Sequence, residues 1–273
     1  MFNNGILCAM NKHHIAKVKE IEKLTSDTFR CKLQLKKMPT ILAGQFLNIK
    51  VPNGKFLLRR PFAIYDFDIK AKTVDFAFYV KGGGTEALSK LKVGEEVDVL
   101  LPLGNSFPQE FNGKKIMLIG GGIGVFPLLR NCYNAEAYSF LGFRSKQHAI
   151  LLDDFKKLSK ELHIATDDGS LGEKGFVTNL ALKEVTRIKP DVIFCCGPHV
   201  MFGAVKKLFA DVKIPIYIST EERMACGFGV CLCCNLAVTT MTNDKGQVKN
   251  SGEINYARVC CDGPVFKLEE VAL

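Results

Sequence analysis

The sequence Met224-Ala-Cys-Gly-Phe-Gly-Val-Cys-Leu-Cys-Cys234 carries four cysteines on one short loop, three of them in the spacing Cys-x4-Cys-x2-Cys, and 25 residues separate the loop from Cys260. The resulting order, Cys226-x4-Cys231-x2-Cys234-x25-Cys260, is typical of the plant-type ligand pattern of a [2Fe-2S] cluster. In that pattern three thiolates reach two irons from one side, and a thiolate from a distant strand completes the site. Two glycines in the loop favour this arrangement, because backbone amides must turn toward the sulfurs without a Cβ in the way.

Two other interpretations of these cysteines remain open from sequence. A structural zinc ion usually takes two short Cys-x2-Cys pairs, and this tail contains a single such pair, Cys231 and Cys234. Plain buried cysteines are the second alternative. Cys234 is preferred to its neighbour Cys233 as a ligand because it completes the x2 spacing, whereas spacing alone does not choose between Cys260 and Cys261.

Composition narrows the class of protein. The 273 residues, with 47% hydrophobic content, suffice for about two domains with real cores and a small appendage. The net charge of +9 is spread along the chain, so nucleic-acid binding is not expected. The sequence has no apolar run of membrane-spanning length, and Met1–Met10 lacks the pattern of a signal peptide, so a cytoplasmic protein is expected. The remaining cysteines are expected to be small buried hydrophobes: Cys8, Cys31, Cys132, Cys195 and Cys196.

Residues 1–110 have the pattern of an antiparallel β-barrel domain. Short segments rich in β-branched and aromatic residues alternate with turn sequences such as Pro52-Asn-Gly54. Six such segments without a long helix favour a small barrel. The predicted strands are Ala16–Leu24, Thr28–Leu35, Gln45–Val51, Arg60–Tyr65, Thr73–Val80 and Glu96–Leu100.

Residues 111–219 alternate between apolar runs and segments long enough for crossover helices, which predicts a doubly wound parallel α/β domain. The predicted strands are Lys115–Gly120, Tyr138–Leu141, Leu162–Ala165, Asp191–Cys196 and Pro215–Ser219, and the predicted helices are Gly124–Asn134, Gln147–Leu158, Thr178–Thr186 and His199–Ala210. Residues 220–273 form a third, small domain with the cysteine loop, a polar hairpin-like stretch at Thr239–Ser251 and a returning strand at Val259–Phe266.

The run Gly120-Gly-Gly-Ile-Gly124 ends a buried strand and opens a helix, where a pyrophosphate can meet free backbone amides. Val125 stands where the dinucleotide fingerprint requires a third glycine, and Arg144-Ser-Lys146 follows where that fingerprint has an acid. A nucleotide site is therefore favoured over a merely tight turn, although it is not the ordinary dehydrogenase site. The basic residues by themselves favour a 2′-phosphate, unless this stretch is only an exposed loop.

Cys196-Gly-Pro198 closes another predicted strand of the same sheet, so the strand-end rule places it at the same crevice as Gly120–Gly124. A small residue followed by a turn would let a planar nicotinamide approach closely. The alternative is an ordinary strand-to-helix turn with Pro198 at the helix start.

Two barrel motifs predict a second phosphate-binding place. Arg59-Arg-Pro-Phe-Ala63 begins a strand, and Gly82-Gly-Gly-Thr85 opens a short helix. Each alone is equally compatible with a surface arginine pair or a glycine turn. Their combination with an iron–sulfur site favours a flavin, because a cluster takes one electron at a time and cannot exchange a hydride directly.

These residues together resemble the ferredoxin–NADP reductase superfamily and, within it, the electron-transfer subunits of type B dihydroorotate dehydrogenases. The resemblance covers nearly the whole chain, and the last two of its motifs are specific to that subunit type. The motifs are Arg60-Pro-Phe-Ala63, Gly83-Gly-Thr85, Pro102-Leu-Gly-Asn105, Gly120–Gly124, Cys196-Gly-Pro198, Glu222-Arg-Met-Ala-Cys-Gly227 and Val259-Cys-Cys-Asp-Gly-Pro-Val-Phe266.

The resemblance implies a role for each matched residue. FAD would be held by Arg60, Pro61, Phe62, Ala63, Ala77, Phe78, Tyr79, Gly84 and Thr85. NAD would be held by Gly120, Gly121, Gly122, Gly124, Cys196, Gly197 and Pro198. The closing cluster ligand of the family precedes x-Asp-Gly-Pro, which selects Cys260 beside Cys226, Cys231 and Cys234. The superfamily usually has Ser or Thr where Ala63 stands, so a hydroxyl that commonly lies near the flavin N5 is missing here.

The function that the resemblance implies is an electron relay in pyrimidine (UMP) biosynthesis. A catalytic partner subunit with FMN would oxidise dihydroorotate, and electrons would pass through the [2Fe-2S] cluster and FAD to NAD, in a heterotetramer of two plus two subunits. The alternative is a reductase subunit that runs the other way, from NAD(P)H to an oxygenase, hydrogenase or sulfur-reducing partner. A non-catalytic, cluster-bearing sensor or scaffold is disfavoured, because two nucleotide sites would be superfluous in it.

Overall fold

The computed structural model describes residues 12–239 and 254–273, together with the backbone of residues 241–242 and 248–249. Cys8 and the segment Met1–Met10 lie outside these residues, as does most of the polar stretch Thr239–Ser251. Within the described ranges, no helix is both long and apolar enough to cross a membrane.

The first region folds as a closed antiparallel barrel, as its period-two pattern predicts. Its strands are β1 (His13–Lys23), β2 (Thr28–Gln34), β3 (Phe46–Ile49), β4 (Arg60–Asp68), β5 (Thr73–Tyr79) and β6 (Glu96–Leu103). They are hydrogen-bonded in the order β1-β2-β5-β4-β3-β6. Because side chains alternate across a strand, Phe76 and Phe78 of β5 fill the barrel interior while Ala77 and Tyr79 point outward.

A short helix, α1 (Gly83–Ser89), follows β5 and is held at its start by Thr85. The Thr85 hydroxyl oxygen accepts hydrogen bonds from the backbone N–H groups of Lys81 at 2.9 Å and Gly82 at 3.2 Å. These bonds satisfy backbone donors that a glycine-rich turn would otherwise leave open, so the turn has a fixed shape.

The second region is a sheet with helices on both faces. Its strands are β7 (Lys115–Gly121), β8 (Glu136–Phe143), β9 (Glu161–Thr166), β10 (Glu173–Lys174), β11 (Val192–Cys196) and β12 (Ile216–Ser219), and its helices are α2 (Phe126–Leu129), α3 (Leu152–Leu158), α4 (Val177–Ile188) and α5 (His199–Leu208). The predicted helix Gly124–Asn134 is a succession of short turns around α2, of which Gly122–Val125 and Arg130–Asn134 are 3₁₀ turns. Helices α4 and α5 contribute to one core, and α2 and α3 contribute to another on the opposite face.

The strand order of this sheet locates its ligand-binding edge. The order is β10-β9-β8-β7-β11-β12, with all neighbours parallel. The chain winds outward from β7 in one direction through β8 and then returns to β11 on the other side of β7. In a doubly wound sheet, such a reversal opens a crevice at the carboxyl ends of the two central strands.

The third region contains β13 (Asn235–Val238), β14 (Met241–Thr242), β15 (Val248–Lys249), β16 (Asn255–Arg258) and β17 (Val265–Lys267). Strand β13 pairs with β16, and the antiparallel pair β14–β15 agrees with the predicted hairpin. Strand β17 is antiparallel to β12 and so extends the sheet of the second region. The three domain ranges predicted from sequence stay a prediction.

The predicted strand Val259–Phe266 is wrong over most of its length, because residues 259–262 form a turn. The carboxylate of Asp262 accepts a hydrogen bond from the backbone N–H of Arg258 at 2.7 Å, which closes the turn on itself. Pro264 cannot donate to a strand ladder, so the extended segment begins only at Val265.

Candidate functional site

A cleft of about 960 Å³ lies between the barrel and the carboxyl ends of the parallel strands. The predicted site residues that line it are Pro61, Phe62, Ala63, Ala77, Tyr79, Gly121, Gly122, Gly124, Cys196, Gly197 and Pro198. Both predicted nucleotide motifs and much of the predicted flavin-binding segment therefore meet in one space. Met224, at the start of the cysteine loop, and Pro264, just after the turn that carries Cys260, line the same cleft.

The glycine run after β7 is needed for close backbone contact. A Cβ at Gly124 would lie 2.4 Å from the carbonyl oxygen of Cys196, and one at Gly121 would lie 3.1 Å from Cδ of Pro198. Gly122 adopts a φ of +55°, which favours glycine. The ends of β7 and β11 thus approach each other more closely than any side chain at these positions would allow.

Gly120 has a packing role instead. A Cβ at Gly120 would lie 2.9 Å from Cγ1 of Val125 and 3.3 Å from Cδ1 of Leu128, so this glycine lets α2 pack onto the sheet. Gly120 is not one of the described residues that line the cleft.

The thiol of Cys196 is a neutral group at the crevice. Burial raises its pKa to about 12, and the negative charge of Glu221 adds to the effect. A side chain at its neighbour Gly197 would have to displace Met201, because a Cβ there would lie 2.4 Å from Cε of Met201. The Cys-Gly-Pro turn therefore presents a small, uncharged surface on which a planar ring could rest.

The barrel side of the cleft is flat and has one phenol. Ala63 and Ala77 are small, and Ala63 pairs with Phe46 of β3, which also lines the cleft. The Tyr79 hydroxyl lies 3.5 Å from where a Cβ of Gly122 would be. Burial raises the pKa of Tyr79, so it is a neutral hydrogen-bonding group there.

Arg60, Gly84 and Thr85 lie together beside the cleft rather than in it. A Cβ at Gly84 would lie 2.7 Å from Nη2 of Arg60, so glycine lets the guanidinium pack onto the start of α1. Nη1 of Arg60 donates hydrogen bonds to the carbonyl oxygens of Leu58 at 2.8 Å and Arg59 at 3.2 Å. This orients a positive group next to the Gly-Thr turn, as a phosphate site requires.

The structure places one predicted flavin-binding residue in the barrel core. Phe78 is 1% exposed, and its ring lies 5.9 Å from that of Phe29 and 5.3 Å from that of Phe62. Only its backbone could face a ligand in the cleft, because the alternation along β5 directs the side chain inward.

The four predicted cluster ligands form two pairs. The thiols of Cys226 and Cys231 interact with each other, as do those of Cys234 and Cys260, and the Cys260 sulfur also lies 3.8 Å from that of Cys261. Cys234 and Cys260 are buried, at 2% and 3% exposure, whereas Cys231 is exposed.

Backbone amides point at these sulfurs, as expected of a cluster loop. The N–H of Phe228 donates to Sγ of Cys226 at 3.5 Å, and the N–H of Cys260 donates to Sγ of Cys234 at 3.4 Å. Burial raises the pKa of Cys226. Hydrogen bonds from backbone amides of the loop, of which that of Phe228 contributes most, outweigh burial and lower this pKa to about 7. The loop therefore favours a thiolate, the form that binds metal.

The paired arrangement is compatible with a cluster in which each iron takes two cysteines. Among the described residues, no three His, Cys, Asp or Glu side chains converge on a point that could hold a single ion. A tetrahedral zinc site brings four ligands to one centre, whereas in a [2Fe-2S] cluster each iron takes two cysteines.

Arg258 joins the two cysteine-bearing segments. Its Nη1 donates to the carbonyl oxygen of Gly229 at 3.1 Å, and its guanidinium pairs with the carboxylate of Asp262, with Nε at 3.1 Å from Oδ2. The arginine thus fixes the loop that carries Cys226 and Cys231 to the turn that carries Cys260.

Three residues of this region received no site role from sequence. Glu221 and Glu222 line the cleft directly after β12, and the strand-end rule that selected Cys196 would also have selected them. Asn48 is a fully buried asparagine on β3 whose side chain contacts the cysteine loop. Its only signal in the sequence is a polar residue within the apolar run Phe46–Ile49.

Two family models match the chain. Residues 15–107 match the oxidoreductase FAD-binding domain, and residues 221–272 match the iron-sulfur cluster binding domain of dihydroorotate dehydrogenase B. These ranges contain the barrel and the paired cysteines.

Two relatives that match most of the chain have the same name. The electron transfer subunit of dihydroorotate dehydrogenase B (NAD(+)) from Enterococcus faecalis is 38% identical over 238 residues, covering 84% of this chain and 86% of the relative. The subunit of the same name from Clostridium acetobutylicum is 35% identical over 268 residues, covering 96% and 98%.

A solved chain from the structure of an NADH-dependent reduced ferredoxin-NADP oxidoreductase has a TM-score of 0.78 and 28% identity, covering 94% of this chain and 90% of its own. The similarity thus extends over the barrel, the sheet and the cysteine-bearing tail. On the identity and coverage of its relatives, this chain belongs to the family of electron transfer subunits of dihydroorotate dehydrogenase B (NAD(+)).

Proposed function

We propose that this chain passes electrons from the FMN of a catalytic partner subunit, through a [2Fe-2S] cluster and FAD, to NAD⁺ during dihydroorotate oxidation in pyrimidine biosynthesis. The observation that supports it most is the single cleft in which the flavin-binding strand, the nucleotide motifs and the base of the cysteine loop meet. An electron relay requires its centres to be neighbours, and a flavin and a nucleotide bound in this cleft would lie close to the cysteine loop.

The bound groups would supply the redox chemistry: FAD exchanges a hydride with NAD and single electrons with the cluster. The residues of the chain bind and orient. Arg60 and Thr85 would hold the phosphates of FAD, and Ala63 and Ala77 leave flat space for its ring. Gly121, Gly122 and Gly124 would receive the nucleotide phosphates.

Cys196 and Gly197 are small and uncharged, so they would let the nicotinamide approach closely. The high pKa of the Cys196 thiol, caused by burial, means that the thiol neither titrates nor attacks near neutral pH. The cleft walls would exclude water from the ring-stacking region, which protects a hydride in transfer.

The name of the relatives as electron transfer subunits implies a catalytic partner for such a protein. For this chain we propose an FMN-containing partner, a heterotetramer of two plus two subunits and a cytoplasmic location. The docking surface would surround the cysteine loop, where Val230 and Leu232 are 44% and 60% exposed. Phe228 is half-buried against the core and would contribute less to this surface.

A second candidate function is reduction in the opposite direction, from NAD(P)H through FAD and the cluster to an oxygenase, hydrogenase or sulfur-reducing partner. The solved oxidoreductase chain, at 28% identity over most of the length, favours keeping it. The two candidates differ in the partner, because only the first requires a subunit that oxidises dihydroorotate.

The decisive experiment combines co-purification with one variant. The tagged protein should co-purify with an FMN-containing subunit, and the complex should reduce NAD⁺ with dihydroorotate. The variant Cys231→Ser should keep NADH-to-dye activity through FAD but lose dihydroorotate-to-NAD activity, while the neighbouring Cys233→Ser control keeps both. Coupled activity that survives loss of the cluster would overturn the relay, and a partner without dihydroorotate oxidation would favour the second candidate.

A further inference from the structure

Asn48 lies where the barrel meets the cysteine loop. Its neighbours Leu47 and Ile49 point into the barrel interior, so Asn48 points outward, yet it is 0% exposed. An outward-facing residue can be fully buried only if another segment covers it. The covering segment includes Cys226 and Gly227 of the cysteine loop.

The contact between Asn48 and the loop is close and polar. Nδ2 of Asn48 donates a hydrogen bond to the carbonyl oxygen of Cys226 at 3.4 Å. A Cβ at Gly227 would lie 2.5 Å from the same Nδ2, and Gly227 has a φ of +79°, so both space and backbone conformation require glycine there. The loop is thus shaped to receive this amide.

The other end of the amide is not satisfied. Oδ1 of Asn48 is buried and has no hydrogen-bond partner among the described residues. A buried acceptor without a donor is unfavourable, so an apolar side chain of similar shape would serve the stability of the barrel at least as well. The asparagine is therefore better explained by its contact with the cysteine loop than by a contribution to the stability of the fold.

Asn48 is also tied to the predicted flavin-binding strand. It pairs with Pro61 of β4, and its carbonyl oxygen accepts a hydrogen bond from Nη1 of Arg59 at 3.4 Å. Two residues earlier on β3, Phe46 pairs with Ala63. The strand pair that lines the cleft thus carries, on the same outward face, the amide that contacts Cys226.

A second barrel asparagine holds the opposite side of the cysteine site. Nδ2 of Asn105 donates to the carbonyl oxygens of Asp262 at 3.0 Å and Val265 at 2.8 Å, and its Oδ1 accepts from the N–H of Val265 at 2.9 Å. Asn105 is fully satisfied and supports the turn after Cys260. Asn48 and Asn105 therefore hold the two cysteine-bearing segments against one barrel.

We propose that Asn48 is a positioning residue for electron transfer between FAD and the cluster, because it fixes the carbonyl of ligand Cys226 to the strand pair that lines the flavin cleft. This inference rests on the proposed function, since it assumes that both groups are bound. Asn48 does not line the cleft, so it would act through the cysteine loop.

The test uses Asn48→Leu in the holoprotein, with Asn131→Leu as a matched control. Asn131 is also buried, and its Nδ2 donates to the carbonyl oxygens of Leu128 at 3.2 Å and Pro127 at 3.5 Å in the second region. Three quantities are measured: the rate of FAD reduction by NADH, the rate at which the cluster is then reduced, and the electron paramagnetic resonance spectrum of the reduced cluster.

The expected result for Asn48→Leu is a cluster reduced about 10-fold to 100-fold more slowly, the usual scale for residues that orient metal ligands, with a shifted or broadened spectrum. FAD content and FAD reduction should equal those of the wild type. Loss of the cluster with FAD retained would also support the inference, because the loop would then be unheld.

Unchanged cluster reduction and an unchanged spectrum would overturn the inference, as would equal slowing in Asn131→Leu. If Asn48→Leu does not fold, Asn48→Ser is read against the same two outcomes, since its side chain is too short to reach Cys226. A wild type whose cluster NADH cannot reduce through FAD would overturn the proposed function itself, and the inference with it.

Discussion

Gly124 and Cys196 are in contact through their backbones, and a Cβ at Gly124 would lie 2.4 Å from the carbonyl oxygen of Cys196. The contact joins the turn after β7 to the turn after β11, at the reversal of strand order. Gly124 owes its identity to space alone, because its φ is not in the left-handed region. The nucleotide crevice thus depends on a missing side chain.

We expect Gly124→Ala to destabilise the protein by about 1–3 kcal/mol, because backbone on both sides must move to admit the methyl group. It should also weaken NADH binding, since the displaced atoms form the crevice. Thermal unfolding and NADH titration would measure the two effects.

Gly203→Ala is the matched control for this prediction. Gly203 lies on α5, and a Cβ there would meet nothing within 4 Å. Alanine should stabilise the helix by about 0.5–1 kcal/mol and leave NADH binding unchanged. Equal behaviour of the two variants would contradict the role assigned to Gly124.

The parts of the fold that sequence predicts are those with a strong local pattern. Thr73–Val80 alternates strictly, and β5 follows with its apolar side chains in the barrel. Gly120–Gly124 and Cys196–Pro198 end buried parallel strands, so topology alone brings them to one edge. In each case a short-range signal and the tertiary environment agree.

The features that sequence missed depend on contacts between distant segments. The turn at Cys260 is closed by Arg258 and Asp262, whose pairing also involves Gly229 on another loop. The role of Asn48 is apparent only from its contact with the cysteine loop, which is distant in sequence. Phe78 lies on a strand that was predicted to bind FAD, but the alternation of side chains along that strand directs its ring into the barrel core. No local pattern carries such information.

The ligand set can be tested by single replacements. Serine at Cys226, Cys231, Cys234 or Cys260 should remove or cripple the cluster, seen as loss of iron and of thiolate-to-iron absorption. Cys233→Ser and Cys261→Ser should spare it.

The pair Cys260 and Cys261 is the critical comparison, because their sulfurs are only 3.8 Å apart. Cys260 is buried beside Cys234, whereas Cys261 is exposed. A cluster that survives Cys260→Ser but not Cys261→Ser would show that the ligand assignment is shifted by one residue.

The family and a local positive charge predict opposite nucleotide preferences. The relatives are named as NAD(+) enzymes, yet Arg144 lines the cleft and could pair with a 2′-phosphate. Asp167, at the end of β9, lines the same cleft and would repel that phosphate. We expect a higher kcat/KM for NADH than for NADPH in dye reduction.

Two variants separate these charges. Asp167→Asn should raise kcat/KM for NADPH by about tenfold, which corresponds to about 1.4 kcal/mol, and Arg144→Ala should lower it. Neither should change kcat/KM for NADH as much. A wild type that prefers NADPH would show that Arg144 outweighs both Asp167 and the family pattern.

The last prediction concerns stability against pH and the buried carboxyl of Asp75 on β5. Burial raises its pKa from 3.8 to about 6, although Lys32 lies 3.6 Å away and opposes the shift. Between these two values the folded protein binds more protons than the unfolded chain, so the contribution of Asp75 to stability falls as pH rises through that window. Near pH 6 the carboxyl is half ionised in the folded protein, and its full charge is buried only well above that pH.

Asp75→Asn removes this charge, so it should stabilise the protein above pH 6 relative to the wild type, by at most about 3 kcal/mol. The difference should shrink as the pH falls toward 4, where Asp75 is protonated in the folded protein and only about half ionised in the unfolded chain. Asp68→Asn is the control of opposite sign, because a backbone hydrogen bond from Ala71 lowers the pKa of that exposed carboxyl. Urea unfolding of both variants and the wild type from pH 4 to 7 measures the effect. A difference for Asp75→Asn that stays constant across that range would show that the carboxyl does not titrate in it.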